Sequence, residues 1–210
     1  MTTPGRWYSE TWRSVGLATA VALLGGLLIG GLTSFGQLVL PPWVNSLSNS
    51  AGGWTMFAFL LVWLGRARPL LATLLGVVAF EALSEGYGFV SRARDIPYSA
   101  PFGSIWAIVG FVTGPVLGVA ASLTRYGSPL WRALGVTPLS AVLLGEGIYG
   151  LRELAETTSP VYWAIEAVLS VVFLAIAVAT TRLRVGRTLL VIGVWLAGTA
   201  VFSALVALVT

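Results

Sequence analysis

The sequence predicts an all-α protein, a bundle of transmembrane helices with seven spans. Of its 210 residues, 57% are apolar and only 10% are charged, whereas an ordinary globular protein carries about 25% charged residues. A helix needs about 20 apolar residues to cross about 30 Å of hydrocarbon, and seven stretches reach or approach that length. We therefore expect residues 1–14 to form a cytoplasmic N-terminal segment and residues 15–210 a single transmembrane domain.

The seven predicted spans follow one another with short connections. They cover residues 15–40, 51–65, 69–90, 102–123, 133–151, 160–180 and 188–209. The first stretch is too long for a cleaved signal peptide, and Pro41 and Pro42 end it. Its glycine pairs, Gly25-Gly26 and Gly30-Gly31, form a small-residue face that predicts close helix packing.

The second span, residues 51–65, is the shortest, at about 22 Å for a helical rise of 1.5 Å per residue. It could be re-entrant, and the arginines decide between the two arrangements because cytoplasmic loops carry the positive excess. With seven crossings and an inner N-terminus, nine arginines lie inside and three outside; without the second crossing, the split becomes five to seven. The sequence therefore predicts seven crossings with the N-terminus inside and the C-terminus outside.

Two segments of the chain resemble each other. Residues 83–88 and 144–150 each place a glutamate among glycines, and each leads through an arginine to Ser, Pro and Trp. A looser third copy runs through residues 34–37 and returns at Ser50 and Trp54. The pattern predicts three out-and-back hairpins and a lone seventh helix, although any helical hairpin can reuse these residue types at the membrane interface.

Four glutamates lie inside predicted spans: Glu81, Glu85, Glu146 and Glu166. A charged group there costs about 2.5–3.5 kcal/mol on the insertion scale, which makes it a functional candidate. Helix rise puts them between the midplane and the outer boundary, so we expect a polar cavity open to the outer side. The candidate ligand-binding residues are Glu81, Glu85, Glu146, Tyr149, Glu166, Gln37 and Arg152. Alternatively, the acids pair with Arg92, Arg94 or Arg152 and only fasten helices.

The missing residue types exclude several chemistries. There is no Cys, His or Lys, and all 12 basic residues are Arg. That excludes thiol catalysis, Cys/His zinc sites, His-ligated haem and a lysine Schiff base. We expect no cofactor and no metal. The scattered arginines are not a nucleic-acid footprint, so the expected partners are membrane lipid and a small-molecule ligand, in a bacterial inner membrane.

Three segments carry a family resemblance. They are Thr33-Ser34-Phe35-Gly36-Gln37, Leu144-Gly145-Glu146-Gly147-Ile148-Tyr149-Gly150-Leu151 and Glu156-Thr157-Thr158-Ser159-Pro160-Val161-Tyr162-Trp163. Together they resemble an uncharacterised family of small multi-pass membrane proteins of high-GC bacteria. The resemblance runs from the first span to the Arg182-Leu183-Arg184 segment. It implies a membrane protein and no assigned activity, so no catalytic residue follows from it.

Three functions stay open. The favoured one is a small-molecule carrier or substrate-capture subunit, whose buried carboxylates bind a cationic or polyhydroxyl solute or carry a coupling proton. The second is a structural, partner-stabilising membrane subunit in which the acids are internal fasteners. The third is a membrane-embedded enzyme acting on a lipid or isoprenoid, with Glu146 or Glu166 as general acid. An Asp-rich pyrophosphate motif, which would favour the enzyme, is missing.

Overall fold

The computed structural model describes residues 10–99 and 101–209, and these residues form a helical bundle without strands. Its helices are α1 (Trp12–Val39), α2 (Ala51–Gly65), α3 (Pro69–Ala93), α4 (Ile105–Tyr126), α5 (Pro129–Tyr149), α6 (Pro160–Thr181) and α7 (Val185–Val209). A short 3-10 helix (Asn45–Asn49) precedes α2, and a π-helical turn (Gly150–Leu154) extends α5. Within the described residues, six helices are long and apolar enough to cross a membrane, and α2, with 15 residues, is shorter.

The predicted spans coincide with the helices, with shifts at several ends. The fifth helix begins at Pro129 rather than residue 133, because proline is favoured in the first helical turn, where its missing N–H has no partner to lose. The fourth begins at Ile105 rather than residue 102, because Ser104 is its N-cap and accepts from the Ala107 N–H. Residues 1–9 of the predicted N-terminal segment, with Arg6, lie outside the described residues.

The close contacts between helices show their relative directions. Gly30 of α1 lies against Leu83 and Gly26 against Ala82, so α1 and α3 run in parallel. Gly76 of α3 lies against Gly114 of α4, and these two helices are antiparallel. We call the end of the bundle where α1, α3 and α5 finish the upper end, and the opposite one the lower end. The prediction assigns the upper end to the outside.

Glycine makes the closest helix crossings possible. A Cβ atom on Gly76 would collide with the carbonyl oxygen of Gly114, and one on Gly30 with that of Leu83. The small-residue face predicted on α1 is confirmed by these contacts, because Gly26 and Gly30 are buried against α3. In a bilayer, where lipid tails are as apolar as leucine, such close approach supplies the packing energy that holds helices together.

The short helix α2 lies at the centre of the bundle. It contacts α1, α3, α4 and α5, and Trp54 in its first turn is 1% exposed. The Trp54 ring packs on Trp106 and Tyr87, with centroids 5.2 and 5.6 Å apart, and meets the Phe80 ring edge-on. This aromatic cluster holds one side of α2 against α3 and α4, while its other side faces α5.

Each helix that returns from the upper end begins at a serine cap. Ser50, Ser104 and Ser159 accept hydrogen bonds from the first-turn N–H groups of α2, α4 and α6. The seventh helix is peripheral: it packs mainly along α5, with Gly198 against Ala141, and Trp195 Nε1 donates to Ser170 Oγ of α6 at 3.1 Å. The arrangement is therefore three serine-capped hairpins followed by a peripheral helix.

The α3–α4 crossing predicts the effect of a single methyl group. Gly76→Ala puts a Cβ into the Gly114 backbone and should destabilise the protein by about 1–3 kcal/mol, the usual cost of overpacking. Gly193→Ala on α7 is the matched control, because no atom lies within 4 Å of its added Cβ. Thermal unfolding in detergent, followed by circular dichroism, measures both variants. Equal melting temperatures for the two would contradict this crossing.

Candidate functional site

The N-terminus of α2 is buried inside the bundle, and a glutamate from another helix closes it. The first N–H groups of a helix have no partner within the helix and carry its positive dipole end. Here Oε1 of Glu146 accepts from the Ala51 N–H at 2.8 Å, and Oε2 accepts from the Gly52 N–H. Ser50, the N-cap, accepts from the Gly53 N–H at 2.9 Å. Glu146 on α5 thus completes the cap of a helix nearly 100 residues earlier in the chain.

A second glutamate reaches the same point from α6. Ser50 Oγ lies 2.9 Å from Oε2 of Glu146 and 2.8 Å from Oε1 of Glu166. The Tyr162 hydroxyl lies 2.8 Å from Ser50 Oγ and 2.7 Å from Oε1 of Glu166. Relative exposure is 0% for Ser50, 9% for Glu146, 4% for Tyr162 and 2% for Glu166. We call these four residues, with the amides of Ala51 and Gly52, the carboxyl site.

Glycines on α5 bring the two glutamates together. A Cβ on Gly147 would press on the Trp163 carbonyl and the Ala167 backbone, and one on Gly150 would enter the Trp163 ring. The backbones of α5 and α6 therefore approach closely beside Glu146. Gly52 is needed on the third side, because a Cβ there would meet the carboxyl oxygens of both Glu146 and Glu166. Trp163 is held further by a 2.9 Å bond from Nε1 to Thr158 Oγ1.

No arginine is among the hydrogen-bond partners of the carboxyl site in the described part of the chain. Two of the three arginines that the sequence offers as partners bind backbone carbonyls instead, and the third, Arg152, lines a groove without Glu146 or Glu166. Arg92 donates to the Ser99 carbonyl at 2.9 Å, and Arg94 donates to the Ser34 carbonyl at 2.6 Å. Oε2 of Glu166 is buried and has no hydrogen-bond partner. The pair is therefore stabilised by hydroxyl groups and a helix N-terminus, without a cation.

The two glutamates of α3 lie elsewhere. Oε1 of Glu85 accepts from the Phe102 N–H at 2.8 Å, where Phe102 has a positive φ of 56° in the α3–α4 connection. Glu85 therefore fastens that connection. Glu81 is 7% exposed, and neither of its carboxyl oxygens has a hydrogen-bond partner. It packs against Gly110 of α4, and it remains a separate buried carboxyl group.

The remaining candidates line two grooves at the upper end. Tyr149 and Arg152 belong to a groove of about 390 Å³ between the end of α5 and α7. Gln37 belongs to another, of about 480 Å³, beside Asn45 and the residues before α6. Its backbone carbonyl accepts from Asn45 Nδ2 at 2.9 Å. Neither groove has Glu146 or Glu166 in its wall, so these three candidates are not part of the carboxyl site.

Two side chains and two amides of the carboxyl site are not among the residues that the sequence predicts. Tyr162 lies four residues before Glu166 on one helix face, a spacing that could have indicated their contact. The hairpin pattern identifies Ser50 only as a return point. Side-chain patterns do not indicate the role of the Ala51 and Gly52 amides. These amides are free to bind Glu146 because α2 begins inside the bundle.

The fold and the site define a class, a multi-pass helical membrane protein with a buried carboxyl pair at a helix N-terminus. The sequence profile of a family of unknown function, DUF6518, matches residues 9–210, and the chain belongs to that family. No curated protein and no solved structure matches the chain. Within residues 10–99 and 101–209, no three His, Cys, Asp or Glu side chains are grouped to hold a metal ion.

The two glutamates should respond differently to the same substitution. Glu146→Gln replaces one of two oxygens that each accept a backbone N–H, so an amide nitrogen would face an N–H donor. We expect a loss of about 1–3 kcal/mol in unfolding free energy. Glu166→Gln should cost less, because its nitrogen can occupy the position of Oε2, which has no partner.

Glu153→Gln, an exposed change in the turn that extends α5, is the control for both variants. Denaturant or thermal unfolding in detergent should rank stability as E153Q, then E166Q, then E146Q. Equal stability of E146Q and E153Q would mean that Glu146 does not close α2.

Proposed function

We propose that the protein is a small-molecule carrier or substrate-capture subunit in which the carboxyl site binds a coupling proton. The observation that carries this proposal is the meeting of Glu146 and Glu166, with no arginine partner, at the buried start of α2. Buried ionisable groups in membrane proteins are costly and commonly mark proton and ion pathways. Binding a coupling proton would give a function to this pair, whose burial is energetically costly.

A count of hydrogen atoms supports an additional proton at the carboxyl site. Ser50 and Tyr162 make four contacts of 2.7–2.9 Å among themselves and the two carboxyl groups, yet their hydroxyls supply only two hydrogens. Two ionised carboxylates on one serine hydroxyl would also repel each other strongly in an apolar interior. One additional proton on the pair supplies a third hydrogen, so that one bifurcated hydroxyl hydrogen accounts for the fourth contact, and it removes one charge. We infer that Glu146 and Glu166 share a single proton.

The position of the pair also suits a carrier. In many transporters, helices that start or break inside the bundle direct their N-terminal dipoles at a buried binding site. The start of α2 has this arrangement. Opening between α2 and α6 would expose carboxyl and hydroxyl oxygens, which suit a cationic or polyhydroxyl solute. Such a solute would compete with the shared proton, which is how binding and proton movement become coupled.

We propose that all seven helices cross the inner membrane of a bacterium, with an inner N-terminus and an outer C-terminus. Glu166 lies six residues after the start of α6, so α2 begins about 9 Å below the upper helix ends. Adding the length of about 22 Å for the 15 residues of α2 gives about 31 Å, which equals the hydrocarbon thickness. A recessed start thus lets a short helix complete the crossing.

A structural, partner-stabilising subunit is the second candidate, and a specific observation favours it. Both oxygens of Glu146 are bound by α2, and Glu85 likewise binds the Phe102 amide. In this alternative the acids only cap backbone groups inside the bundle, and the exposed apolar surface of α7 is available to a partner.

A proton-flux assay separates the two candidates. The protein is reconstituted into liposomes containing a pH-sensitive dye, and choline or ribitol is added as a cationic or polyhydroxyl probe. A carrier should give a probe-dependent dye response in the wild type that falls to the level of empty liposomes in E166Q. Glu153→Gln, the exposed control, should keep the response. No response to either probe in the folded wild type would contradict the carrier and leave the structural role.

Single cysteines test the topology, because the chain has none of its own. An impermeant thiol reagent should label Asp95→Cys and Glu156→Cys in intact cells. It should label Ser128→Cys and Arg184→Cys only after permeabilisation. All four positions are exposed and lie in connections at the two ends of the bundle. Labelling of S128C but not D95C in intact cells would mean that α2 does not cross.

A further inference from the structure

A large apolar groove opens on the surface between α2, α5 and α6, towards the lower end. Its volume is about 670 Å³, within the range of small-molecule sites. Its wall is mostly apolar, with Leu60 and Trp63 from α2, Val136 from α5 and Phe173 and Ile176 from α6, and Arg132 lines it at the lower end. We call this the lower groove. It arises because α2 and α6 are joined at the carboxyl site through Ser50 and Glu166 and separate below it.

The polar part of the lower groove is confined to the lower end. Arg132, in the first turn of α5, is exposed and lines the groove. Its Nη2 donates to the Arg125 carbonyl at 3.0 Å. The Arg125 guanidinium lies over the Trp63 ring, 4.1 Å from its centroid, and its Nε is buried without a hydrogen-bond partner. Two cationic groups thus stand together at one end of an apolar channel that contains no acidic side chain.

We propose that the lower groove binds one anionic phospholipid, with an acyl chain between α2 and α6 and its phosphate on Arg132. Guanidinium groups bind phosphate oxygens through paired N–H donors, and basic pockets between transmembrane helices bind anionic headgroups. The Arg125 guanidinium, beside Trp63, adds a second positive charge at the headgroup. The apolar wall suits an acyl chain, and the positive charge at the lower end of the groove favours an anionic headgroup.

The lower groove is separate from the carboxyl site, because the two have no residue in common. Lipid binding in the groove therefore does not depend on the carrier function. A second copy of this chain would bring its own cationic lower end towards Arg132 and Arg125, and like charges in contact are repulsive. An anionic lipid has the opposite sign. Charge complementarity thus commits the groove to a lipid rather than to another subunit.

Native mass spectrometry of the purified protein, titrated with phosphatidylglycerol or phosphatidylcholine of identical chains, tests the proposal. We expect the wild type to retain one phosphatidylglycerol in preference to phosphatidylcholine. Arg132→Gln should weaken phosphatidylglycerol binding about fivefold and phosphatidylcholine binding less, because the choline cation offsets the attraction between the phosphate and Arg132 in the wild type. Arg184→Gln, an exposed arginine at the same end outside the groove, is the matched control and should bind like the wild type.

Filling the lower groove provides a second variant. Val136→Trp puts an indole into the chain channel and should reduce retention of both lipids. Three results would overturn the proposal: equal retention of the two lipids by the wild type, equal losses in R132Q and R184Q, or a dimer whose formation prevents lipid binding. A wild-type preference that is lost in R132Q alone, together with weaker retention of both lipids in V136W, would support it.

Discussion

The N-terminus of α2 lies inside the bundle, and the need to close it determines how α2, α5 and α6 meet. Unpaired backbone N–H groups cannot be left in an apolar interior, because each would cost several kcal/mol. Two of these N–H groups, on Ala51 and Gly52, donate hydrogen bonds to the carboxyl group of Glu146. Ser50 Oγ connects this cap to Glu166. One interaction therefore connects α2, α5 and α6, and it brings together two acids that would otherwise repel each other.

Small residues make this arrangement possible throughout the bundle. Gly147 and Gly150 let α6 approach α5 at the level of the glutamates, and Gly52 leaves room for both carboxyl groups. Elsewhere, Gly76 and Gly114 allow α3 and α4 to touch through their backbones. At the carboxyl site α2 and α6 are joined through Ser50 and Glu166, and below it they separate around the lower groove. The same short helix thus accounts for a closed polar centre and an open apolar channel.

Apolar length and turn residues predict most of this fold from the sequence. The sequence predicts all seven helices, the second with its observed limits, because each is an apolar run and the first six are ended by Pro, Gly or Arg. The site was predicted only in part. Membrane burial identifies Glu146 and Glu166 as costly, and they do meet, but Glu81 and Glu85 lie apart from them. Local sequence patterns cannot distinguish the paired glutamates from the separate ones. The pairing of Glu146 with Glu166 depends on helix packing and on free backbone amides, and neither can be read from residue types.

Infrared spectroscopy of the intact protein can show whether Glu146 and Glu166 share one proton at the start of α2. A protonated carboxyl group gives a carbonyl stretching band that a carboxylate lacks. We expect such a band in the wild type. It should disappear in Glu166→Gln, shift in Tyr162→Phe because a hydroxyl contact of Glu166 is lost, and persist in Glu81→Gln. A wild type without the band, or a band that Glu166→Gln leaves unchanged, would contradict the shared proton.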